Sequence, residues 1–199
     1  MKLREDLKYI AKWVPAQSCI LDLGCGDGSL LAYLKEQSSV DGYGLEIDEE
    51  KLLKCVEKGV NVIQRNIEDG LGDIETDFFD VVVMSQTLQA VRNAEKIMDE
   101  MLRVGREVII TFPNFGHWRS RLQLTLNGRM PVTRAFPHAW YNTPNIHVFT
   151  LRDFEEFCRA KKIVVTQRQF INPQHRSSWM MRIFPNLAAP MAIYRLKRL

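Results

Sequence analysis

The chain has 199 residues, 46% of them hydrophobic, with 27 Lys and Arg against 24 Asp and Glu and a formal net charge of +3. That length and apolar content fit one domain with a sizeable core and exclude wholesale disorder. The acid-bearing start Met1-Lys2-Leu3-Arg4-Glu5-Asp6 does not read as a signal peptide, and no apolar run is long enough for a membrane span.

Residues 3–14 set Leu3, Leu7, Ile10 and Val14 at helical spacing, an amphipathic helix laid against the domain, with Pro15 after its end. A short apolar strand follows at 19–23, and it runs straight into Leu21-Asp22-Leu23-Gly24-Cys25-Gly26-Asp27-Gly28. Leu30, Leu31 and Leu34 then open a helix. The rhythm repeats with a strand at 42–47, a helix at 49–58 and a strand at 60–65. Asp80 opens a strand whose middle, Val81-Val82-Val83-Met84, is apolar without alternation, as in a parallel strand covered on both faces. A helix at 93–103 and a strand at 107–112 complete an alternation that predicts a doubly wound α/β sheet.

Residues 113–149 interrupt that alternation with four prolines, two glycines, Trp118, Trp140 and Tyr141. Trp118, Leu122 and Leu126 recur every fourth residue, so part of the stretch is helical. A long irregular insertion of this kind suits a lid or binding surface. Beyond it come a helix at 150–160 with Thr150 as N-cap, a strand at 163–170, a basic loop carrying Trp179, Met180 and Met181, and a last strand at 191–196. The expected layout is one domain over 1–199, with an N-terminal helix (1–14) and an insertion or lid (114–149).

Cys19, Cys25, Cys55 and Cys158 form no Cys-x-x-Cys pair, which argues against a zinc site or a disulfide framework. Reduced structural thiols of a cytoplasmic protein are expected, and no metal. Charge is unevenly spread. Residues 114–199 carry fourteen Lys or Arg and three acids, whereas residues 1–113 carry thirteen against twenty-one. The basic half suits an anionic substrate, nucleic acid or an acidic partner, and equally a solvated face. Arg119, Arg121, Arg129 and Arg134 are its candidates for gripping a carboxylate, a phosphate or an acidic surface.

In an open parallel sheet ligands bind beyond the carboxyl ends of the strands, where strand order reverses. Gly24, Gly26 and Gly28 lie at that edge. Their G-x-G-x-G spacing differs from the G-x-G-x-x-G of dinucleotide sites. Asp22 would repel a pyrophosphate there and suits an ammonium instead. Glu46, ending the second strand, is placed to accept hydrogen bonds from both hydroxyls of a ribose, and it excludes a 2′-phosphate. The combined demand is adenosine with a zwitterionic, phosphate-free tail, which S-adenosylmethionine meets. Asp27 either joins this ligand or caps the following helix.

The segments ILDLGCGDGSLL, GYGLEID and FDVVVMSQTLQAV resemble, in order, the motifs of class I S-adenosylmethionine-dependent methyltransferases over roughly residues 15–113. The resemblance implies a mostly parallel seven-stranded Rossmann-like sheet, with the long insertion before the last two strands. It implies that Asp22, Gly24, Cys25, Gly26 and Gly28 line the methionine half of the ligand and that Glu46 holds the ribose. Ile47 would pack on the adenine, Asn66 and Ile67 would border it, and Ser85 and Gln86 would face the sulfonium. Many relatives carry Asp where Asn66 stands. More narrowly, SQTLQAV, EMLRVGREVIITFPNFGHWRSRLQL, NGRMPVT and WYNTPNIHVFTLRDFEEFC resemble the MetW family of methionine biosynthesis proteins over most of 85–158. That implies a role beside homoserine O-acyltransferase.

No general base announces itself. His117, His138, His147 and His175 lack a nearby acid at triad spacing, and satisfied structural histidines are expected. Methyl transfer from a sulfonium can proceed by positioning, so none is required. Trp118, Trp140 and Tyr141 either wall a substrate pocket or form the insertion's own small core, and the core reading is preferred. No Asn-Pro-Pro-Tyr-type motif supports amine methylation, and nucleic acid is disfavoured as substrate. Two functions are expected to compete. One is a ligand-binding, regulatory subunit docked on the acyltransferase. The other is a methyltransferase acting on a small-molecule acceptor. Self-association is left open.

Overall fold

The computed structural model describes residues 3–172 and 179–199. Its strands are β1 (Cys19–Leu23), β2 (Asp41–Glu46), β3 (Asn61–Gln64), β4 (Phe79–Ser85), β5 (Gly105–Pro113), β6 (Ile163–Ile171) and β7 (Met191–Arg198). They form one sheet in the order β3-β2-β1-β4-β5-β7-β6. β1 to β5 run parallel, and β7 is antiparallel to both β5 and β6. The helices are α1 (Glu5–Trp13), α2 (Ser29–Ser38), α3 (Glu49–Glu57), α4 (Ala94–Val104), α5 (Trp118–Asn127), α6 (Leu151–Ala160), α7 (Trp179–Ile183) and α8 (Pro185–Ala188).

The unalternating apolar run of β4 is explained by burial on both faces. Val81 and Val83 join Ile20, Ile10 of α1, Leu30, Leu31 and Leu34 of α2 and Cys55 of α3 in one core layer. Val82 and Met84 join Leu21, the apolar faces of α4 and α6, and Tyr194 in the other. Each fully buried Leu, Ile or Val contributes about 1.5–3 kcal/mol, so the central strands anchor the fold. Strand parity then places Asp22 on the same face as Ile20, toward α1 and α2. Because β1 lies between β2 and β4, strand order reverses beside it, and the β1–α2 turn opens at that point.

Most elements lie where the sequence predicts them, with β5 starting two residues earlier and β7 running two residues further. The expected basic loop is corrected: Trp179–Ile183 and Pro185–Ala188 are short helices, and Met181 is buried against the α4–α6 layer. Helices of five and four residues give too few turns for a periodic signal. The first part of that loop lies outside the described residues, as does His175. The insertion contains α5 as expected but little core. Trp118, Trp140 and Tyr141 are 44%, 74% and 74% exposed, so the preferred core reading fails for them. The insertion is pinned by its backbone instead: Phe115 N–H donates to Phe149 O, and Ile146 and His147 N–H both donate to Gln89 O.

Among the described residues no helix is long and apolar enough to cross a membrane. α6 begins with a reciprocal capping box, in which Asp153 N–H donates to Thr150 Oγ1 and Thr150 N–H donates to Asp153 Oδ2. Thr150→Ala should lower stability by about 1 kcal/mol, read as a lower urea midpoint at unchanged slope.

Candidate functional site

The β1–α2 turn is three glycines in left-handed backbone, with φ of 72° at Gly24, 59° at Gly26 and 70° at Gly28. Two of them are also held by packing. A Cβ on Gly24 would sit 2.9 Å from Thr87 Oγ1, and one on Gly28 would sit 2.9 Å from Cys55 Sγ. Gly26 differs, because a Cβ there meets nothing within 4 Å. The middle of the turn therefore faces open space. The turn is tied to β2 by Gly24 and Cys25 N–H, both donating to Leu45 O at 2.9 and 3.1 Å.

Glu46 ends β2 and is buried. Its Oε2 accepts from Gly26 N–H at 2.9 Å, and its Oε1 accepts from Ile47 and Asp48 N–H at 2.9 and 3.0 Å. The expected two-hydroxyl acceptor thus already holds three main-chain donors. Oε1 is filled, and one acceptor position is left on Oε2.

Asp22 stands opposite in chemistry. It is 3% exposed, and its Oδ1 has no hydrogen-bond partner. Burial pushes its pKa up to about 7; Arg4 opposes this and Glu46 adds to it. An orphaned buried carboxylate is costly unless something cationic or hydrogen-bonding reaches it.

A cavity of about 370 Å³ opens here, with Asp22, Gly24, Cys25, Gly26 and Ser85 among its lining residues. These five of the sequence-predicted residues come together around one space. Gly28 sets the start of α2, and Glu46 braces the turn from outside. The remaining four stand away from the lining. Ile47 is 60% exposed, Asn66 caps a short 3-10 turn by accepting from Glu68 N–H, and Ile67 packs partly on the core. Gln86 is held at φ 54°, with its N–H on Thr111 and its side-chain amide donating to Asp6 Oδ2 at 2.8 Å. Asp27 lines the same cavity, and its side chain also accepts from Ser29 N–H and Oγ and pairs with Lys58 at 2.6 Å at the start of α2.

Arg4 and Asp6 were missed by sequence reasoning. Arg4 grips Asp6 with Nε and Nη2 at 2.7 and 2.9 Å, reaches Ser85 Oγ at 3.1 Å, and lines the same cavity. Burial works to raise Asp6, but Arg4 and Gln86 outweigh it and hold its carboxyl below the usual range. A charged pair in the first turn of a surface helix carries no signal that it will fold over a turn twenty residues away. Of the described histidines, His117 caps α5, His138 is exposed, and His147 Nε2 sits 3.1 Å from Arg92 O. No acid pairs with any of them, and none of them lines the glycine cavity.

A family model described as methionine biosynthesis protein MetW matches residues 4–196. A bifunctional methionine biosynthesis protein MetXA/MetW from Rhodopirellula baltica is 34% identical over 98% of this chain. The chain spans about a third of that relative's length. Among solved structures, an S-adenosylmethionine-dependent methyltransferase from Mesorhizobium loti superposes with a TM-score of 0.69 at 14% identity, covering 98% of each chain. The plantazolicin methyltransferase BpumL in complex with SAH superposes with a TM-score of 0.63 at 16% identity, covering 98% of this chain and 81% of that one. Those likenesses establish the class I methyltransferase fold, including the antiparallel β7.

Because Asp22 has a raised folded pKa, the stability it contributes is complete below about pH 4 and is lost as pH rises through about 7. Asp22→Asn removes that loss. The substitution should therefore be more favourable at pH 8 than at pH 5 by at least about 1 kcal/mol, measured by urea titration at both pH values.

Proposed function

The chain belongs to the methionine biosynthesis protein MetW family, and from that membership we propose that it binds S-adenosylmethionine at the glycine turn and works beside homoserine O-acyltransferase. The observation that carries the ligand reading is Asp22: a buried carboxylate oxygen without a partner, beside a turn whose middle glycine faces open space. The fit is chemical. Asp22 suits the ammonium of the amino-acid tail, and Arg4 on the same cavity suits its carboxylate. A cation arriving at Asp22 favours its ionised form, so the protein gives up a proton there. Glu46 offers its last Oε2 acceptor position to a ribose hydroxyl. Gly24, Cys25 and Gly26 present main chain to the methionine half, and Gly28 sets the helix start behind it. Ile47, Asn66 and Ile67 form the adenine side, where the exposed Ile47 gains cover. Ser85 and Gln86 border the sulfonium. When bound, that sulfonium supplies a methyl group already activated by its charge.

The partnership is supported by a relative that carries MetXA and MetW in one polypeptide. The exposed aromatic residues of the insertion, Trp140 and Tyr141, suit a protein-facing surface. In this reading the chain reports the donor's abundance to the acyltransferase rather than acting on a substrate of its own. The alternative, methylation of a small molecule, is favoured by the intact donor cradle.

Calorimetry of the full chain with S-adenosylmethionine and with S-adenosylhomocysteine tests the ligand. Binding should be saturable, tighter at pH 8 than at pH 6, and weakened about tenfold or more by Asp22→Asn. Absence of heat and of any thermal shift with both compounds would refute it. The partnership is tested by co-purification with the acyltransferase and by that enzyme's activity with and without this chain. Stable association with altered activity is expected; no association and no change sinks the regulatory reading. Transfer of label from methyl-labelled donor to a compound in cell extract would favour the alternative instead.

A further inference from the structure

A second cavity, of about 410 Å³, lies at the same carboxyl edge beyond β5. The turn after β5 is fastened by Asn114, which is fully buried. Its side-chain amide donates to Asn186 O and Ala189 O at 3.0 and 2.7 Å, and its Oδ1 accepts from Gly116 N–H at 2.9 Å. Asn114 N–H donates to Pro190 O. This joins the start of α5 to the segment before β7, and the cavity forms between them. Ala188, Pro190 and Met181 supply an apolar side.

The other side is cationic. Arg119 lies over the Trp118 ring at 5.3 Å and has no acid partner among the described residues. Arg134 projects from a turn closed by Thr133 and Phe136, each donating its N–H to the other's carbonyl, and Phe136 is buried edge-on against Phe115 at 5.4 Å. Arg134 too has no ion pair or side-chain hydrogen bond among the described residues. Residues 113–150 contain no Asp or Glu at all. Arg121 and Arg129 do not join the lining; Arg121 donates instead to Gly116 O. His117 accepts Arg119 N–H on Nδ1 at 3.4 Å, and burial, with Arg119, lowers its pKa. The ring is therefore neutral near pH 7, with its proton on Nε2 as a donor.

From this juxtaposition we infer that the cavity binds a small organic oxyanion, with a carboxylate or phosphate head between Arg119, Arg134 and His117 and an apolar body against Ala188, Pro190 and Met181. Two exposed guanidiniums line one cavity with no counter-ion among the described residues, and an oxyanion there would gain charge-assisted hydrogen bonds from both. One contact links the site to the glycine cavity. Met191, next to Pro190, takes the Gln86 side-chain amide at 4.0 Å, and Ser85, next to Gln86, lines the first cavity. The inference rests on the donor reading only for its standing as the acceptor or effector site of that cradle.

The test is calorimetric titration of the full chain, at constant ionic strength, with inorganic phosphate, acetate, hexanoate and phenylacetate. At least one probe should saturate, and hexanoate should bind more tightly than acetate if the head is a carboxylate. Tighter binding of phosphate than of every carboxylate assigns the head as phosphate. Arg119→Gln and Arg134→Gln should each weaken that probe about tenfold or more, whereas Arg129→Gln, the same charge change outside the cavity, should stay within about twofold. Affinity for S-adenosylhomocysteine, measured in the same proteins, should not change. No saturation by any probe below about 10 mM, roughly −2.7 kcal/mol, overturns the inference. So does an equal loss in Arg129→Gln. Failure of both S-adenosylmethionine and S-adenosylhomocysteine to bind, with the anion probe still binding, sinks the donor reading and leaves the anion site standing.

Discussion

One carboxylate organises the edge of the sheet where strand order reverses. Glu46 collects the N–H groups of Gly26, Ile47 and Asp48, so the loop after β1 and the loop after β2 are fixed to each other through a single buried side chain. Three main-chain donors satisfy most of what burial of this side chain demands. With Glu46 satisfied, the negative charge left to answer is that of Asp22, buried beside it with an unpartnered oxygen. The contrast between two neighbouring carboxylates, one holding three main-chain donors and one with an orphaned oxygen, makes this edge a place for a cationic or hydrogen-bonding ligand rather than a merely tight turn.

The same device recurs on the other side of β4. Asn114 bridges the turn after β5 to the segment before β7, as Glu46 bridges two loops, and again a cavity opens beside the bridge. The two differ in charge. The first is lined by both signs, Asp22 and Asp27 with Arg4, Lys51 and Lys54; the second, among the described residues, by Arg119 and Arg134 without an acid. Gln86 and Met191 stand between them. Gln86 is held in left-handed backbone by Thr111, a conformation that costs a non-glycine residue of order 1 kcal/mol and persists because its surroundings impose it.

Legibility followed the physics of each signal. The parallel core strands were readable because burial on both faces leaves an uninterrupted apolar run, and α6 because its cap and its amphipathic face agree. The glycine turn was readable because positive φ and close packing demand residues without a Cβ. Short helices such as α7 and α8 were not, since one turn shows no period. Aromatic residues in the insertion misled: Trp140 and Tyr141 look like core by composition, yet main-chain bonds to Gln89 and Phe149 hold that stretch in place of a core.

By itself the sequence determined the order of strands and helices, the family, and the acid-glycine-acid pattern at the first switch point, because those depend on local period, local backbone freedom and near neighbours in the chain. Tertiary structure alone decided how each charged group is spent. It filled Glu46 with main-chain donors, left Asp22 Oδ1 without one, and brought Arg4 over a turn far along the chain. It also separated Arg119 and Arg134 from Arg121 and Arg129. A carboxylate or guanidinium has the same letter whether paired or free, and only the folded packing of distant segments settles which partners reach it.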